Sequence, residues 1–409
     1  MIKYLRPVYI YTLTFTLLFC WWFLAFRQSL ASQPEMIVTD VTEPKNLVIQ
    51  EKVPLSSLDR ATLHQALCGD IDLMTRFISD WDLDAELLEQ SGYTHINRLP
   101  RADFLRSQQI SRILQTYTEE QLTEARERYR APFIIDDSGA PIDLSNPYQA
   151  VIPQTFLSAG IAMALLEPEH ILALPEGIRE QESLYPKQQT ETVPHTINRF
   201  SLEALYSSTP KIAFIAPYSQ PGLIQQLNDQ GVQLHVLHGT QTTDAIKNAV
   251  KQIGHSVNRP LKAELMNLFI DAALLHLDNL RLVHLTVQPD FLILEYYHQF
   301  RIPGTRSLTS HLIQRMNYQL PDIGMNSYEG QWDVPVTEEQ IHQYNPKLLL
   351  ISTTYSKQVI DRILARSEAL LEVDALKNRR VVIIDDATQK TSSQLFVLAY
   401  YDLTMALLR

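Results

Sequence analysis

A stretch without proline or glycine, Leu261–Gln288, restricts the fold of this chain more than any other feature. Apolar side chains recur in it at the i, i+3, i+4 and i+7 spacing of one helix face: Leu265, Leu268, Phe269 and Ala272. At about 1.5 Å per residue such a helix spans roughly 40 Å, which is more than a crossover within one sheet needs. The stretch is therefore predicted to connect two bodies.

Short apolar runs alternate with helical patterns on both sides of this stretch. The runs predicted to form strands are Ala150–Ile152, Ile171–Leu174, Lys211–Ala216 and Val232–Leu237 before it, and Phe291–Tyr296, Lys347–Ser352 and Arg380–Asp385 after it. Strands that alternate with helices are joined by right-handed crossovers, which produce parallel sheets covered by helices on both faces. We therefore predict an α/β protein with two Rossmann-like lobes, each with a parallel sheet, joined by one long backbone helix.

The chain ahead of the predicted first lobe differs from it in composition and residue pattern. Residues 1–31 are hydrophobic, residues 32–55 carry prolines and mixed charge like a linker, and residues 56–131 show helical patterns without strand runs. We call residues 56–131 the helical extension, to which the sequence assigns no function. The first lobe, the backbone helix and the second lobe then follow as residues 132–258, 259–288 and 289–409.

The first residues have the layout of an export or anchor signal. Lys3 and Arg6 precede an uncharged run, Val8–Phe26, that is closed by Arg27. A basic flank followed by an apolar segment directs a chain to the membrane, and this run is just long enough to span a bilayer. Small residues at 29–31 offer a weak cleavage site, so both a cleaved signal and an uncleaved anchor stay open. In either case we expect the bulk of the chain in the periplasm, tethered by residues 8–26 if the segment is retained.

Charge, motifs and cysteine content exclude several classes of protein. The 46 acidic side chains outnumber the 35 basic ones, whereas a nucleic-acid-binding protein needs a dense basic face. The sequence contains no His-Glu-x-x-His, Gly-x-Ser-x-Gly or Walker pattern, so we expect neither an enzyme nor a bound cofactor or metal. Because Cys20 lies in the apolar run, Cys68 has no partner for an intrachain disulfide and is expected to pack as a small apolar side chain.

A local pattern occurs twice, at a constant offset of 136 residues. Phe200–Leu205 precedes a Pro-Lys pair at the start of one predicted strand, and Val336–Ile341 precedes another in the same way. In both copies a hydroxyl residue can cap a short helix, and a glutamate follows two positions later, Glu203 in one copy and Glu339 in the other. The helix dipole favours acidic residues at such positions in any protein, so each glutamate alone has an ordinary structural explanation. A matched pair, one on each lobe, also fits a single interaction surface to which both lobes contribute.

The region from about Pro132 to the C-terminus resembles the periplasmic substrate-binding proteins that import iron–siderophore complexes, haem and cobalamin. The hairpin pattern Ile135–Gly139 is similar to the D-x-x-G opening of that family, and Leu261–Gln288 lies where its backbone helix belongs. The two repeats resemble its N-L-E and V-S-x-E motifs, although Lys211 and Lys347 stand where the family has aspartate. The resemblance covers about two-thirds of the chain.

This resemblance implies a function and partners. The family delivers its cargo to an ABC permease with ATPase subunits, and one glutamate per lobe docks on arginines of that permease. The motif match assigns this role to Glu203 and Glu339, whose carboxylates could set the register of a two-fold partner through charge-assisted contacts. The ligand, a small-molecule iron complex or a corrinoid, is expected in the cleft of a monomer, at the carboxyl ends of the strands.

Candidate ligand-binding residues follow the predicted strands. They are Thr155, Tyr218, His238, Tyr297, His298, Arg301, Arg306 and Tyr355, with Gln154 and Ser219 beside two of them. Tyrosine and histidine side chains coordinate iron and haem, and arginines bind anionic chelates with two hydrogen bonds. For each residue the alternative is an ordinary, half-buried loop position.

Two other functions stay open. A membrane-tethered envelope scaffold or sensor would keep the binding-protein fold without transport and would use the helical extension for protein contacts. A two-lobed enzyme such as a chelatase would need a general base in the cleft.

Overall fold

The computed structural model describes residues 59–127, 131–146, 148–197, 209, 211–285, 290–319 and 330–408. The predicted signal or anchor, the linker and Glu203 lie outside these residues. The described part is a mixed α/β structure in which both lobes, the backbone helix and the helical extension share one large hydrophobic core. The predicted fold class is thereby confirmed. Among the described helices, none is both long and apolar enough to cross a bilayer.

The helical extension forms a run of helices over its described residues. These are α1 (Arg60–Leu67), α2 (Ile71–Gln90), α3 (Arg101–Thr116) and α4 (Glu119–Glu127). Gly69 and Gly92 follow α1 and α2 with φ angles of +100° and +95°, a left-handed conformation that glycine adopts at low cost. Before α4, Thr118 and Gln121 exchange the hydrogen bonds of a capping box.

The first lobe is a layered α/β unit with parallel strands. Its strands are β1 (Phe133–Ile135), β2 (Pro141–Asp143), β3 (Ala150–Pro153), β4 (Ala173–Leu174), β5 (His195–Thr196), β6 (Lys211–Ile215) and β7 (Gln233–Val236). Its helices are α5 (Phe156–Leu165), α6 (Glu176–Glu180), α7 (Lys187–Thr190), α8 (Pro221–Asp229) and α9 (Thr243–Ser256). The strands β3, β6 and β7 form a parallel sheet in that order, and the parallel pair β4–β5 adjoins it through a bridge between Val151 and Ile171. The antiparallel hairpin β1–β2 precedes this sheet.

The strands β3 and β6 of this sheet are buried on both faces, whereas most of β7 is half-buried. In β6, Ile212 and Phe214 enter the shared core, whereas Ala213 and Ile215 enter a smaller cluster that contains Leu227 of α8. Burial on both faces removes the need for polar residues at alternate positions, which is why β3 and β6 are continuous apolar runs in the sequence.

The backbone helix, α10 (Pro260–His284), starts one residue before its predicted beginning. Pro260 occupies the first helical position, where its missing N–H leaves no hydrogen bond unmade. Leu265, Phe269 and Ala272 are fully buried on the face that the spacing predicted. At its other end the helix stops at His284, four residues before the predicted end at Gln288, since the backbone of Leu285 is already extended.

The second lobe has a mixed sheet. Its strands are β8 (Phe291–Tyr296), β9 (Phe300–Pro303), β10 (Asp333–Pro335), β11 (Leu348–Thr353) and β12 (Val381–Asp385), in the order β10-β9-β8-β11-β12. Its helices are α11 (Leu308–Arg315), α12 (Glu338–Tyr344), α13 (Lys357–Leu364), α14 (Glu368–Leu371), α15 (Asp374–Lys377), α16 (Asp386–Gln389) and α17 (Phe396–Leu407). The strands β8, β11 and β12 are parallel as predicted, whereas β9 and β10 are antiparallel. The link from β8 to β9 is too short for a crossover, so it forces an antiparallel pair.

Polar contacts fix the helical extension to the backbone helix and to the second lobe. Arg106 Nε and Nη2 donate to the two carboxylate oxygens of Glu264 in α10, at 2.7 and 2.8 Å. Arg60 Nε donates to Asp402 Oδ1 of α17 at 2.9 Å. Gln394 Nε2 donates to the carbonyl oxygen of Leu67, at the end of α1, at 3.1 Å. The helical extension is therefore an integral layer of the protein.

Candidate functional site

The carboxyl ends of β3, β6 and β7 meet at one edge of the first lobe, because the three strands are parallel and in register. A cavity of about 240 Å³ lies at this edge. The residues that line it include Gln154, Thr155, Tyr218, Ser219, Thr240 and Ser392. Since Ser392 belongs to the second lobe and the other five belong to the first, this cavity lies between the lobes. We call it the interlobe cavity.

Three polar side chains at this edge, those of Gln154, Thr155 and Ser219, have partners within the first lobe. Thr155 caps α5, with its Oγ1 accepting from Ser158 N at 3.2 Å. Ser219 Oγ accepts from Ala216 N at 2.9 Å and donates to the side-chain oxygen of Gln154. These contacts hold the loops after β3 and β6 together. They also engage the hydroxyl groups of Thr155 and Ser219.

Tyr218 differs from these three residues. Its side chain is 82% exposed at the rim of the interlobe cavity. Within the described residues, no hydrogen bond reaches its hydroxyl group. A solvent-exposed aromatic ring with a free phenol can stack on a flat ligand and coordinate a metal that the ligand carries.

A larger cavity adjoins the interlobe cavity on the first lobe. It has a volume of about 610 Å³ and shares Gln154, Phe156 and Gln220 with the smaller one. Phe156 is 38% exposed between the two and packs over Gly177, where an added Cβ would come within 2.6 Å of the ring. The first-lobe rim thus presents two aromatic rings, those of Tyr218 and Phe156, and two side-chain amides.

Tyr297, His298 and Tyr355 follow the carboxyl ends of the parallel strands β8 and β11, whereas Arg301 lies within β9 and not in a loop. The hydroxyl group of Tyr297, after β8, donates to Asp386 Oδ1 at 2.8 Å. The exposed His298 lies next to it, with Nδ1 3.5 Å from the hydroxyl oxygen of Tyr355, after β11. His298 and Tyr355 are therefore the pair that this edge presents to solvent.

A charge cluster next to Tyr297 combines two buried carboxylates, those of Glu295 and Asp386, with the partly exposed Lys390. Lys390 Nζ is 3.1 Å from Glu295 Oε2 in β8 and 4.1 Å from the centre of the Tyr297 ring. Burial raises the pKa of Glu295, and the ammonium of Lys390 opposes that shift. Burial likewise raises the pKa of Asp386, against a hydrogen bond from Ser352 at 3.0 Å. This cluster orients Tyr297 and ties β8, β11 and α16 together.

The two candidate arginines differ in their surroundings. Arg301 of β9 is engaged by Asp333 of β10, with Nε 2.7 Å from Oδ1. Arg306 is exposed, and its guanidinium carbon lies 5.1 Å from the centre of the Trp332 ring. Stacking on one face leaves the edge of the guanidinium open, so Arg306 is the arginine placed to bind an anionic group.

The lobes contact each other beside these loops. The hydroxyl groups of Tyr185 and Ser393 are 3.2 Å apart in a buried contact, and Ser183 Oγ donates to Asp385 Oδ2 at 3.1 Å. Gly160 permits this approach, since an added Cβ would come within 2.6 Å of the Tyr185 hydroxyl group and 2.7 Å of Ser393. The remaining candidate of the first lobe, His238, is exposed after β7, with its backbone N–H bound to Asp137 at 2.7 Å.

Glu339 lies in the first turn of α12, as the repeat predicted. Thr337 and Gln340 close a capping box around this helix start. The backbone N–H of Glu339 itself and the hydroxyl group of Thr337 lower the pKa of the Glu339 carboxyl, which therefore stays ionised at neutral pH. Its side chain is exposed, so a partner can reach the carboxylate.

A family model described as periplasmic binding protein matches residues 163–388, which is more than half of the chain. The chain belongs to the periplasmic binding protein family. Membership implies an extracytoplasmic location for this periplasmic binding protein. It also confirms the family that the sequence motifs resembled.

Solved structures share its fold. A possible iron-binding periplasmic solute-binding protein from Staphylococcus epidermidis matches with a TM-score of 0.53 at 16% identity, over 64% of this chain and 99% of that one. The haem-binding protein RhuT from Roseiflexus sp. RS-1 matches with a TM-score of 0.51 at 19% identity, over 64% and 98% of the two chains. The haem-binding protein HutB of Vibrio cholerae matches with a TM-score of 0.51 at 16% identity, over 63% and 98%. A search of curated protein sequences produced no significant match.

Sequence reasoning missed some residues that the periplasmic binding protein places at these edges. Phe156 and Gln220 lie on the rim but look like ordinary helix-start residues in the sequence. Glu295 did carry a signal, because it is an acid within the apolar run of β8. Its partner, Lys390, is far away in the sequence, and only folding brings the two together.

Proposed function

We propose that this periplasmic binding protein binds haem or another iron complex between its lobes and delivers it to the permease of an ABC importer. The observation that carries the proposal is the placement of Tyr218. Its ring is 82% exposed beside the interlobe cavity, and its phenol lacks a hydrogen-bond partner among the described residues. A tyrosine oxygen is a known axial ligand of ferric haem iron.

The second lobe would complete the site with groups of complementary chemistry. His298 and Tyr355 offer a second potential metal ligand and a second aromatic ring, and their side chains are 3.5 Å apart. Arg306, stacked on Trp332 at 5.1 Å, would bind a carboxylate or another anionic group of the complex. Thr155, Tyr297 and Arg301 would position the loops, because their side chains are already engaged. His238 would lie at the first-lobe rim.

Ligand binding is tested by titrating the purified full chain with haemin, a ferric siderophore such as ferrichrome, and cyanocobalamin. Absorption of the ligand and quenching of intrinsic fluorescence report occupancy. We expect haemin to bind, and Tyr218→Phe to weaken binding by about tenfold or more and to shift the haem spectrum, because the oxygen ligand is lost. Tyr93→Phe is the matched control, since Tyr93 is an exposed tyrosine of the helical extension.

Each outcome of the titration discriminates between hypotheses. Unchanged affinity and spectrum in Tyr218→Phe would exclude Tyr218 as a ligand. Tight binding of cyanocobalamin alone would replace the iron complex with a corrinoid. If none of the three ligands binds and the chain co-purifies with envelope proteins, the scaffold or sensor function replaces transport. Turnover of metal and tetrapyrrole would instead indicate a chelatase.

Delivery to a permease is tested by uptake in cells. The carboxylate of Glu339 is exposed and ionised at the start of α12, and Glu203 is its counterpart in the other repeat. We expect Glu203→Ala combined with Glu339→Ala to abolish uptake while leaving ligand affinity unchanged. Glu338→Ala, one residue away in the same helical turn, is the control. Full uptake by the double variant would reject the docking role of the two glutamates.

A further inference from the structure

Helix α1 of the helical extension lies across the contact between the two lobes. His64 Nε2 donates to the carbonyl oxygen of Leu184, in the first-lobe segment between α6 and α7, at 2.8 Å. One helical turn earlier, Arg60 Nη2 donates to Thr388 Oγ1 of the second lobe at 2.9 Å, and Arg60 Nε donates to Asp402 Oδ1 at 2.9 Å. Residues four apart share one face of a helix, so this face of α1 binds the first lobe with one side chain and the second lobe with the other.

Hydrogen bonds also link the two lobes beside α1. The Thr388 hydroxyl group that accepts from Arg60 donates to Asp385 Oδ2 at 2.8 Å. The same carboxylate oxygen accepts from Ser183 Oγ of the first lobe at 3.1 Å. Ser183 adjoins the carbonyl group that His64 binds, so the contacts form a closed loop from α1 through the second lobe to the first lobe and back. Relative movement of any two of these parts has to break at least one contact of the loop.

A buried side-chain amide joins the same three parts at the end of α1. Gln394 lies just before α17 of the second lobe and is buried. Its Nε2 group donates to the carbonyl oxygen of Leu67 in α1 at 3.1 Å and to that of Gly160 in α5 at 3.0 Å. A buried donor that loses its acceptor costs more free energy than the hydrogen bond contributes when it is made, so this amide resists separation of the three parts.

The elements that α1 ties together also carry the walls of the interlobe cavity. Ser392, which lines the cavity from the second lobe, is two residues before Gln394. Gly160 belongs to α5, whose first residues, Phe156 and Leu157, line the cavity from the first lobe. A relative shift of the lobes at this contact therefore changes the width of the interlobe cavity.

We propose that the helical extension is a clasp that fixes the two lobes relative to each other and holds the interlobe cavity at a constant width. The clasp consists of the side chains of Arg60 and His64 and the last carbonyl group of α1, that of Leu67. Since none of these three residues lines the interlobe cavity, the clasp acts without touching the cargo. The inference therefore does not depend on which molecule the cavity binds.

A distance measurement between two spin labels tests the proposal. The labels are attached at Gln225→Cys in α8 and Gln358→Cys in α13, two exposed positions on the first and the second lobe. Cys20→Ala and Cys68→Ala remove the native thiols from the purified full chain, so that the labels report the separation of the lobes. Double electron–electron resonance gives the distribution of distances between the labels. We expect one narrow peak while the clasp is intact.

Arg60→Met combined with His64→Leu removes both side chains of the clasp. We expect the width of the distance distribution to increase about twofold or more, because the lobes could then move about the backbone helix as about a hinge. Arg98→Met is the matched control, since it removes ion pairs with Asp82 and Glu89 inside the helical extension. The control should leave the width unchanged.

Three results would overturn the proposal. They are a broad distribution in the chain with the intact clasp, an unchanged width in the folded double variant, and equal broadening by Arg98→Met. If the double variant fails to fold, Arg60→Met alone decides the question, because Arg60 is partly exposed and its replacement leaves the core of the protein unchanged. The single variant should broaden the distribution by a smaller factor, and an unchanged width would again count against the clasp.

Discussion

The buried imidazole of His276 is expected to make the protein lose stability in mild acid. His276 lies in the middle of α10 with no exposed surface. Its ring centre is 4.7 Å from that of Trp81 and 5.6 Å from that of Phe77, in edge-to-face contacts with α2. Within the described residues, neither ring nitrogen has a hydrogen-bond partner. Such a site accepts a neutral imidazole and strongly disfavours a charged one.

The size of the effect follows from the pKa of His276. Burial lowers it from 6.5 to about 4, with a small opposing influence from Asp84. Between these two values the unfolded chain binds a proton that the folded chain does not, so stability is complete above about pH 6.5 and falls as the pH drops. At about 1.4 kcal/mol per pKa unit, the loss is about 2 kcal/mol near pH 5 and about 3 kcal/mol below pH 4.

His276→Leu removes the titrating group while keeping an apolar side chain of similar size against Trp81 and Phe77. Urea unfolding of the full chain is compared for both proteins at about pH 7.5 and about pH 5. We expect the variant to be at least as stable as the wild type at the higher pH. We also expect the wild type to lose about 2 kcal/mol more than the variant at the lower pH.

Other groups that titrate in this range, including His235, His255 and His311, are present in both proteins and cancel in the comparison. His284→Leu, at an exposed histidine of the same helix, should leave the pH dependence of unfolding as it is in the wild type. A wild-type-to-variant difference that changes by less than about 0.5 kcal/mol between the two pH values would refute the reasoning.

Two further predictions concern stability and are measured by the same unfolding assay. Lys390→Met should destabilise the protein by about 1 to 2 kcal/mol, because Glu295 would be left buried without its partly exposed ammonium partner, and adding Glu295→Gln should recover part of the loss. No recovery in the double variant would show that Lys390 acts through other contacts. Gly69→Ala should cost at least about 1 kcal/mol, since its φ is +100° and the new Cβ would come within 2.0 Å of the carbonyl oxygen of Ala164. Gly92→Ala is the control that measures backbone strain alone, because Gly92 has a φ of +95° and open space around it.

Local patterns in the sequence predicted the elements well. The bounds of β8 agree with the predicted ones, and the backbone helix begins within one residue of its predicted start. The cap of α12 also occurs where the repeat predicted it. These features depend on residues a few positions apart, so the chain itself carries the information.

The site was predictable only in outline. Parallel strands bring the residues that follow them to one edge, which is why Thr155, Tyr218 and Thr240 surround one cavity. The sequence could not predict which of these side chains lacks a hydrogen-bond partner, because the partners come from other loops. The engagement of Arg301 by Asp333 is one such case, since it arises from the antiparallel pairing of β9 with β10.

The sequence alone therefore determined the α/β class, the long connecting helix, the glutamate at the start of α12 and the family. Only the tertiary structure decided that the helical extension shares the core of both lobes, through contacts such as that of Gln394 with Leu67. It also decided that His64 meets Leu184 and that Glu295 meets Lys390. These pairs are far apart along the chain, and no local periodicity encodes them. They form because packing of apolar faces brings them together.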